Sequence, residues 1–192
     1  LFIISNISRG KQETKNTIPR GTEQESEDKL ITTTPTTFYS CANPENDPSW
    51  IVAPEFKTIS CNGDTYVSPF FGYDERIFPS NFVFGDHQGV IISFKLAFLD
   101  SWDGETFRIT GGGGTYYSHS HTNDQSSPNT CGNEGPDDYE TITFGLNHTE
   151  SYLSTVLKAN LGENPNASWG ICDFIIQATD CPVTGGGEIL AC

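Results

Sequence analysis

The clearest pattern along this chain has a period of two. In the run Gly89–Leu99, Ile92, Phe94, Leu96 and Phe98 alternate with Ser93, Lys95 and Ala97, which is how a strand with one buried face reads. Residues 105–110 alternate as well. They follow Asp103-Gly104, a dipeptide that favours tight turns, so a hairpin joining the two strands is predicted. Further strands are predicted over 65–71, 80–84, 139–146, 152–158 and 171–178. No stretch sustains helical spacing, and 19 glycines and 11 prolines punctuate the chain at short intervals. Seven or eight short strands without helices predict an all-β fold, a two-sheet antiparallel sandwich of jelly-roll type.

The pattern fades toward the N-terminus, where polar and charged residues dominate from Ser8 to Lys29 and a Thr32–Thr37 run interrupted by Pro35 follows. Such a segment buries too little apolar surface to offset its ordering entropy. Residues 1–37 are therefore expected to form an extended N-terminal arm or linker, and residues 38–192 the β-sandwich domain. The Thr/Pro run is a candidate for O-glycosylation. Apolar patches at Leu1, Phe2, Ile3, Ile4, Ile7, Leu30 and Ile31 give the arm a second reading, as a donor strand for a neighbouring copy's sheet. With no Met in the chain, Leu1 is not an initiator residue, and a processed chain or a piece of a longer one is expected.

Charge changes the picture on one side of this boundary. Residues 1–40 are balanced, so the whole net charge of −15 falls on residues 41–192, where five Lys/Arg face twenty Asp/Glu. No basic patch is visible in the sequence, and nucleic acid and anionic membranes are disfavoured as partners. Six cysteines without CxxC or zinc-type spacing read as disulfides: Cys41, Cys61, Cys131, Cys172, Cys181 and Cys192. Their connectivity is not deducible; closing the shortest loops pairs Cys41 with Cys61 and Cys181 with Cys192, leaving Cys131 for Cys172. Sequons at Asn6, Asn147 and Asn166 agree with an extracellular glycoprotein. No apolar run is long enough to span a bilayer as a helix.

Candidate chemistry concentrates in Leu99-Asp100-Ser101-Trp102-Asp103-Gly104-Glu105. Its three carboxylates around a turn suit Ca²⁺, with Asp173, or Asp137 or Asp138, completing the oxygen set. The competing reading makes Asp100 and Asp103 turn caps and packs Trp102 in the core. The pair Asp100 and Glu105 has no specificity as a glycosidase dyad. The glycines at 111–114 lack the GK[ST] of a phosphate loop and read as a flexible connection. His119 and His121 form an H-x-H pair, either metal-binding or part of a solvated loop. No Gly-x-Ser-x-Gly elbow is present, and paired cysteines leave no thiol nucleophile, so an enzyme is not expected. Tyr66, Tyr73, Tyr116, Tyr117 and Tyr139 are candidates for stacking on sugar rings.

Two segments carry a resemblance. Phe94–Glu105, with its DSWDGE, and Ala167–Phe174, with SWGI followed by Cys172-Asp173-Phe174, resemble motifs of jelly-roll modules, galactose-binding-like or lectin-like, in extracellular surface proteins of protists such as ciliates. The resemblance spans roughly residues 80–178 and implies a jelly roll at a cell surface with Asp100, Asp103 and Asp173 at calcium positions. Two functions follow as expectations. The first is a secreted structural subunit of an extracellular filament or coat, a homopolymer assembled by arm exchange between identical subunits. The alternative is a calcium-dependent carbohydrate-binding module with glycan partners.

Overall fold

Runs of β-branched and aromatic residues organise the chain into strands joined by turns, with no helix among the described residues. In a computed structural model, residues 36–41, 50–51, 57–68, 76–79, 82–133, 135–162 and 166–192 are described. The expected arm positions (Leu1, Phe2, Ile3, Ile4, Ile7, Leu30 and Ile31), the sequon at Asn6 and the stacking candidate Tyr73 lie outside these residues.

The strands are β1 (Thr36–Cys41), β2 (Trp50–Ile51), β3 (Lys57–Cys61), β4 (Asp64–Ser68), β5 (Arg76–Pro79), β6 (Phe82–Val83), β7 (Gly89–Leu99), β8 (Asp103–Gly111), β9 (Gly114–Thr122), β10 (Asp138–Asn147), β11 (Tyr152–Leu153), β12 (Val156–Asn160) and β13 (Ser168–Thr179). The first sheet has the order β10-β7-β13-β4-β3, with β1 also pairing β13. The second runs β2-β5-β12-β8-β9, and β6 and β11 form a two-stranded ribbon. These strands pair antiparallel throughout the described residues. The fold is thus the predicted all-β sandwich.

The period-two pattern of β7 has a direct structural cause. Ile92, Phe94, Leu96 and Phe98 face the second sheet and are buried, where they meet Phe107 and Ile109 of β8. The Phe94 and Phe107 rings lie 5.9 Å apart, and Phe107 meets Trp169 of β13 edge-on at 5.1 Å, so side chains of the two sheets interdigitate. A smaller apolar cluster of Cys61, Tyr66, Ala97, Leu99 and Cys172 lies on the other face of the first sheet.

Two connections differ from expectation. The predicted hairpin between β7 and β8 is an arch, because β7 belongs to the first sheet and β8 to the second. Alternation reports which side chains are buried, not whether the strand that buries them lies beside or opposite. Asp100 (φ 67) and Gly104 (φ 96) turn the chain across, and buried Trp102 anchors the crossing by donating its Nε1–H to Ser168 O at 2.5 Å. The glycine run, in turn, is a tight hairpin: Gly111 pairs with Gly114, and Gly112 (φ 54) and Gly113 (φ 86) occupy the left-handed corners that favour glycine. The segment read as a solvated loop around His119 and His121 is therefore the paired edge strand β9.

The disulfide guess is also corrected. Cys61 is bonded to Cys131, not to Cys41, and Cys172 is a buried free thiol. Closing the shortest loop fails here because β3 ends beneath the 123–137 segment, which brings together residues 70 apart in sequence. Cys181–Cys192 closes as expected. The backbone of Cys41 pairs with Phe174 in β13.

Candidate functional site

The carboxylates expected to hold calcium do not gather. Asp100 is fully buried at the end of β7; its Oδ1 accepts the Asn133 N–H at 2.7 Å, while its own N–H donates to Asp137 Oδ1 at 3.0 Å. Its Oδ2 has no hydrogen-bond partner among the described residues. Burial pushes this carboxyl up, the Asn133 N–H opposes the rise, and the neighbouring Asp137 adds to it. Asp137 also accepts the N–H groups of Thr130 and Cys131. Together the two carboxylates tie the 123–137 segment to the end of β7, so Asp100 caps a distant loop rather than its own turn. Exposed Asp103 donates its N–H to the Glu105 carboxylate. Asp173, at a bulge in β13 (φ 51), is ion-paired with Lys95 at 3.0 Å.

Ligand atoms of three or more His, Cys, Asp or Glu residues converge in two places among the described residues: His119/His121/Glu140 and Asp64/Cys172/Asp173. Neither includes Asp100, Asp103 or Glu105. At the second, the Lys95 ammonium already sits 2.8 Å from Asp64 and 3.0 Å from Asp173, where a metal cation would have to be. Hydrogen bonds to these two carboxylates push the Lys95 ammonium well above its ordinary range. Burial pushes the Cys172 thiol up to about 12, with the charges of Asp173 and Asp64 adding to the rise, so it is no nucleophile at neutral pH.

The sugar-stacking candidates are largely internal. Tyr66 is 1% exposed on β4. Half-buried Tyr117 stacks on Phe144 at 5.0 Å, and Tyr139 packs beside Tyr66 with ring centroids 5.9 Å apart. Tyr116 and Tyr117 both lie on strand β9 and pack against the core.

The outward face of the second sheet carries a constellation not recognised in the sequence. Thr106, Arg108 and Thr110 of β8 alternate with buried Phe107 and Ile109; Ser118, Ser120 and Thr122 of β9 are exposed; Lys158 and Asn160 of β12 alternate with buried Leu157 and Ala159. Register sets these in rows. Asn160 is opposite Thr106, which is opposite Ser120, with the two hydroxyls 2.9 Å apart. In the next row Arg76 of β5 is opposite Lys158, Lys158 opposite Arg108, and Arg108 opposite Ser118. Two of the five basic residues after residue 40, Arg108 and Lys158, thus lie opposite each other on this face. Arg108 and Lys158 are 50 positions apart in sequence, and only strand pairing aligns them. A shallow groove of about 340 Å³, lined by Thr110, Gly111, Gly113, Gly114 and Thr115, continues this face to the tip of the β8–β9 hairpin.

No protein-family model matches the chain, and no curated protein does. Solved structures do. The K3 cleaved adhesin domain of Lys-gingipain from Porphyromonas gingivalis is similar over 74% of this chain and 100% of its own, with a TM-score of 0.50 and 13% identity. The C-terminal CBM6 of the marine laminarinase LamC from Zobellia galactanivorans covers 75% of this chain and 100% of its own, with a TM-score of 0.48 and 13% identity. The carbohydrate-binding module CBM6cm-2 of Cellvibrio mixtus lichenase 5A, solved with cellotriose, covers 75% and 99%, with a TM-score of 0.46 and 12% identity. At such identities the likeness speaks to fold: this chain has a jelly-roll sandwich.

Proposed function

We propose that the chain is a secreted, non-catalytic carbohydrate-binding module, and that the outward face of its second sheet binds a polysaccharide bearing carboxylates, such as a uronate polymer. One observation carries this reading, the Lys158–Arg108 pair flanked by the hydroxyl and amide row Asn160–Thr106–Ser120. Hydroxyls and amides match the donors and acceptors of sugar hydroxyls. Guanidinium groups pair carboxylates bidentately. Elsewhere the domain is strongly acidic, which repels the same ligand and confines it to this strip.

Two disulfides among the described residues support an oxidising, extracellular setting, and exposed Asn147 and Asn166 are available as glycosylation sites. No helix among the described residues is long and apolar enough to cross a membrane. The filament reading, with identical subunits as partners, rests on an arm outside the described residues, and no described residue favours it.

Affinity gel electrophoresis against alginate, polygalacturonate and a neutral β-glucan tests the proposal. Retardation by the acidic polymers, weakened by salt and lost in Arg108→Ala/Lys158→Ala, is expected. Equal retardation by the neutral glucan in wild type and variant overturns the acidic specificity, and no retardation by any glycan overturns the carbohydrate reading.

A further inference from the structure

The edge strands β9 and β10 belong to opposite sheets and face each other across the open side of the sandwich. His119 and His121, two residues apart, share one face of β9; Asp138 and Glu140 share one face of β10. One carboxylate reaches both rings, with Glu140 Oε2 lying 3.2 Å from His119 Nε2 and Glu140 Oε1 3.1 Å from His121 Nδ1. The other nitrogen of His121, Nε2, is 3.0 Å from Asp138 Oδ2. Ligand atoms of His119, His121 and Glu140 all fall within 4.8 Å of one another. We propose that these three side chains form a zinc-type metal site that bridges the two sheets, with Asp138 orienting His121.

Three features of the cluster argue for a cation. The first is unmet hydrogen bonding: His119 Nε2 is buried and, although close to Glu140, makes no hydrogen bond. The second concerns lone pairs. When neutral His121 donates its Nε2–H to Asp138, its Nδ1 lone pair faces the Glu140 carboxylate, an acceptor against an acceptor. A cation between them turns both into ligands. The third is support around the rings. His121 stacks on Phe98 with centroids 3.9 Å apart. Asp138 in turn accepts hydrogen bonds from Ser127 Oγ and the Asp124 N–H. These bonds hold the Asp138 carboxylate in place to orient the imidazole. A metal-bound histidine whose second nitrogen is held by a carboxylate is the usual arrangement of protein zinc sites.

The ligand set selects the metal. Two imidazoles and one carboxylate suit Zn²⁺ and its late first-row neighbours, whereas Ca²⁺ takes oxygen ligands. Tetrahedral zinc with bonds of roughly 2.0–2.2 Å spaces its ligands by about 3.4 Å, which small side-chain adjustments here achieve. The half-buried position leaves the fourth place to water.

Titration of metal-stripped full-length protein with Zn²⁺ by calorimetry, and with Co²⁺ by visible absorption, tests the site. One equivalent of metal and an intense tetrahedral Co²⁺ band are expected. Glu140→Gln, which keeps shape and fold, should weaken binding at least tenfold, and His119→Ala/His121→Ala should abolish it. Asp138→Asn should weaken it by about 10- to 100-fold. The protein's two other histidines, His87 and His148, which contact each other at 2.8 Å, serve as controls, and their alanine variants should bind as wild type does. No stoichiometric binding, binding unchanged in Glu140→Gln, or binding lost with His87 and His148 instead would overturn the proposal. Failure of the His double variant to fold leaves Glu140→Gln to decide it.

Discussion

The two outer faces of the sandwich are finished in opposite ways. On the first sheet, Lys95 is clasped by Asp64 and Asp173, a second apolar cluster is buried under the 123–137 segment, and Cys61–Cys131 pins that segment to β3. Charge is matched there and apolar surface is covered. On the second sheet, Arg108 and Lys158 stand opposite each other among hydroxyls and amides. The first face is organised for stability. The second presents a partly exposed polar strip of hydroxyls, amides and two cations, the kind of surface on which a sugar ligand is sought.

The sharpest way to break this comparison is to unpin the first face. Replacing both cysteines in Cys61→Ala/Cys131→Ala releases a cross-link between residues 70 apart, which chain entropy values at about 4 kcal/mol. Urea unfolding should register a loss of that order, while retardation by acidic polysaccharide persists under native conditions. If binding disappears with the folded state intact, the two faces are coupled and their division into stabilising and binding roles is wrong.

The second face should respond the other way round. Arg108→Thr removes one cation from an exposed position and keeps a β-forming residue, so stability should change by less than about 0.5 kcal/mol. The same variant should lose about tenfold in affinity for alginate or polygalacturonate, equivalent to ~1.4 kcal/mol of binding. A variant that is strongly destabilised, or that binds as tightly as wild type, would show that Arg108 serves the fold and not a ligand.

What the sequence disclosed follows from this contrast. The strand β7 was legible residue for residue because it lies between β10 and β13 and buries large side chains on the side facing the second sheet; central β13 was legible for the same reason, and edge strand β10 because buried Ile142 and Phe144 alternate with exposed Thr141 and Thr143. The strand β9 was not, since Tyr116-Tyr117-Ser118-His119-Ser120-His121 has a polar exposed side and a half-buried histidine side, which no hydrophobic alternation reveals. A signal did exist in the four glycines, whose central pair suits a two-residue hairpin turn. Partnership was harder than burial: the arch at Asp100 and the Cys61–Cys131 bond both depend on which strands face or underlie one another. The candidate sites were least visible of all. Lys158 and Arg108, like His121 and Glu140, come together only through register and sheet packing; the H-x-H pair disclosed part of the second site, while the DSWDGE motif drew attention to Asp100, Asp103 and Glu105, which do not converge.

The smallest expected effect concerns Asp100, where the stabilising face carries its own flaw, a buried carboxylate with one oxygen unpartnered among the described residues. Its carboxyl is raised by burial in the folded chain, whereas in the unfolded chain it titrates near the ordinary value of about 3.9. Between those two values the folded state binds more protons than the unfolded state, so this group's contribution to stability falls as pH rises through the window, and the deficit is complete once pH lies above the folded value. Asp138 has the opposite sign: held below the ordinary range, it contributes stability that is present above the unfolded value and lost as pH falls through its folded value. In Asp100→Asn the amide oxygen can still accept the Asn133 N–H, but the titration is gone. Thermal unfolding followed by circular dichroism should show the variant melting a few degrees above wild type at pH 7, with the gap narrowing as pH falls, and acid destabilisation through Asp138 retained by both. Parallel melting curves across pH, or a variant less stable at pH 7, would mean that the Asp100 carboxylate is needed in its charged form to hold the 123–137 segment, making it part of the clasp that finishes the first face.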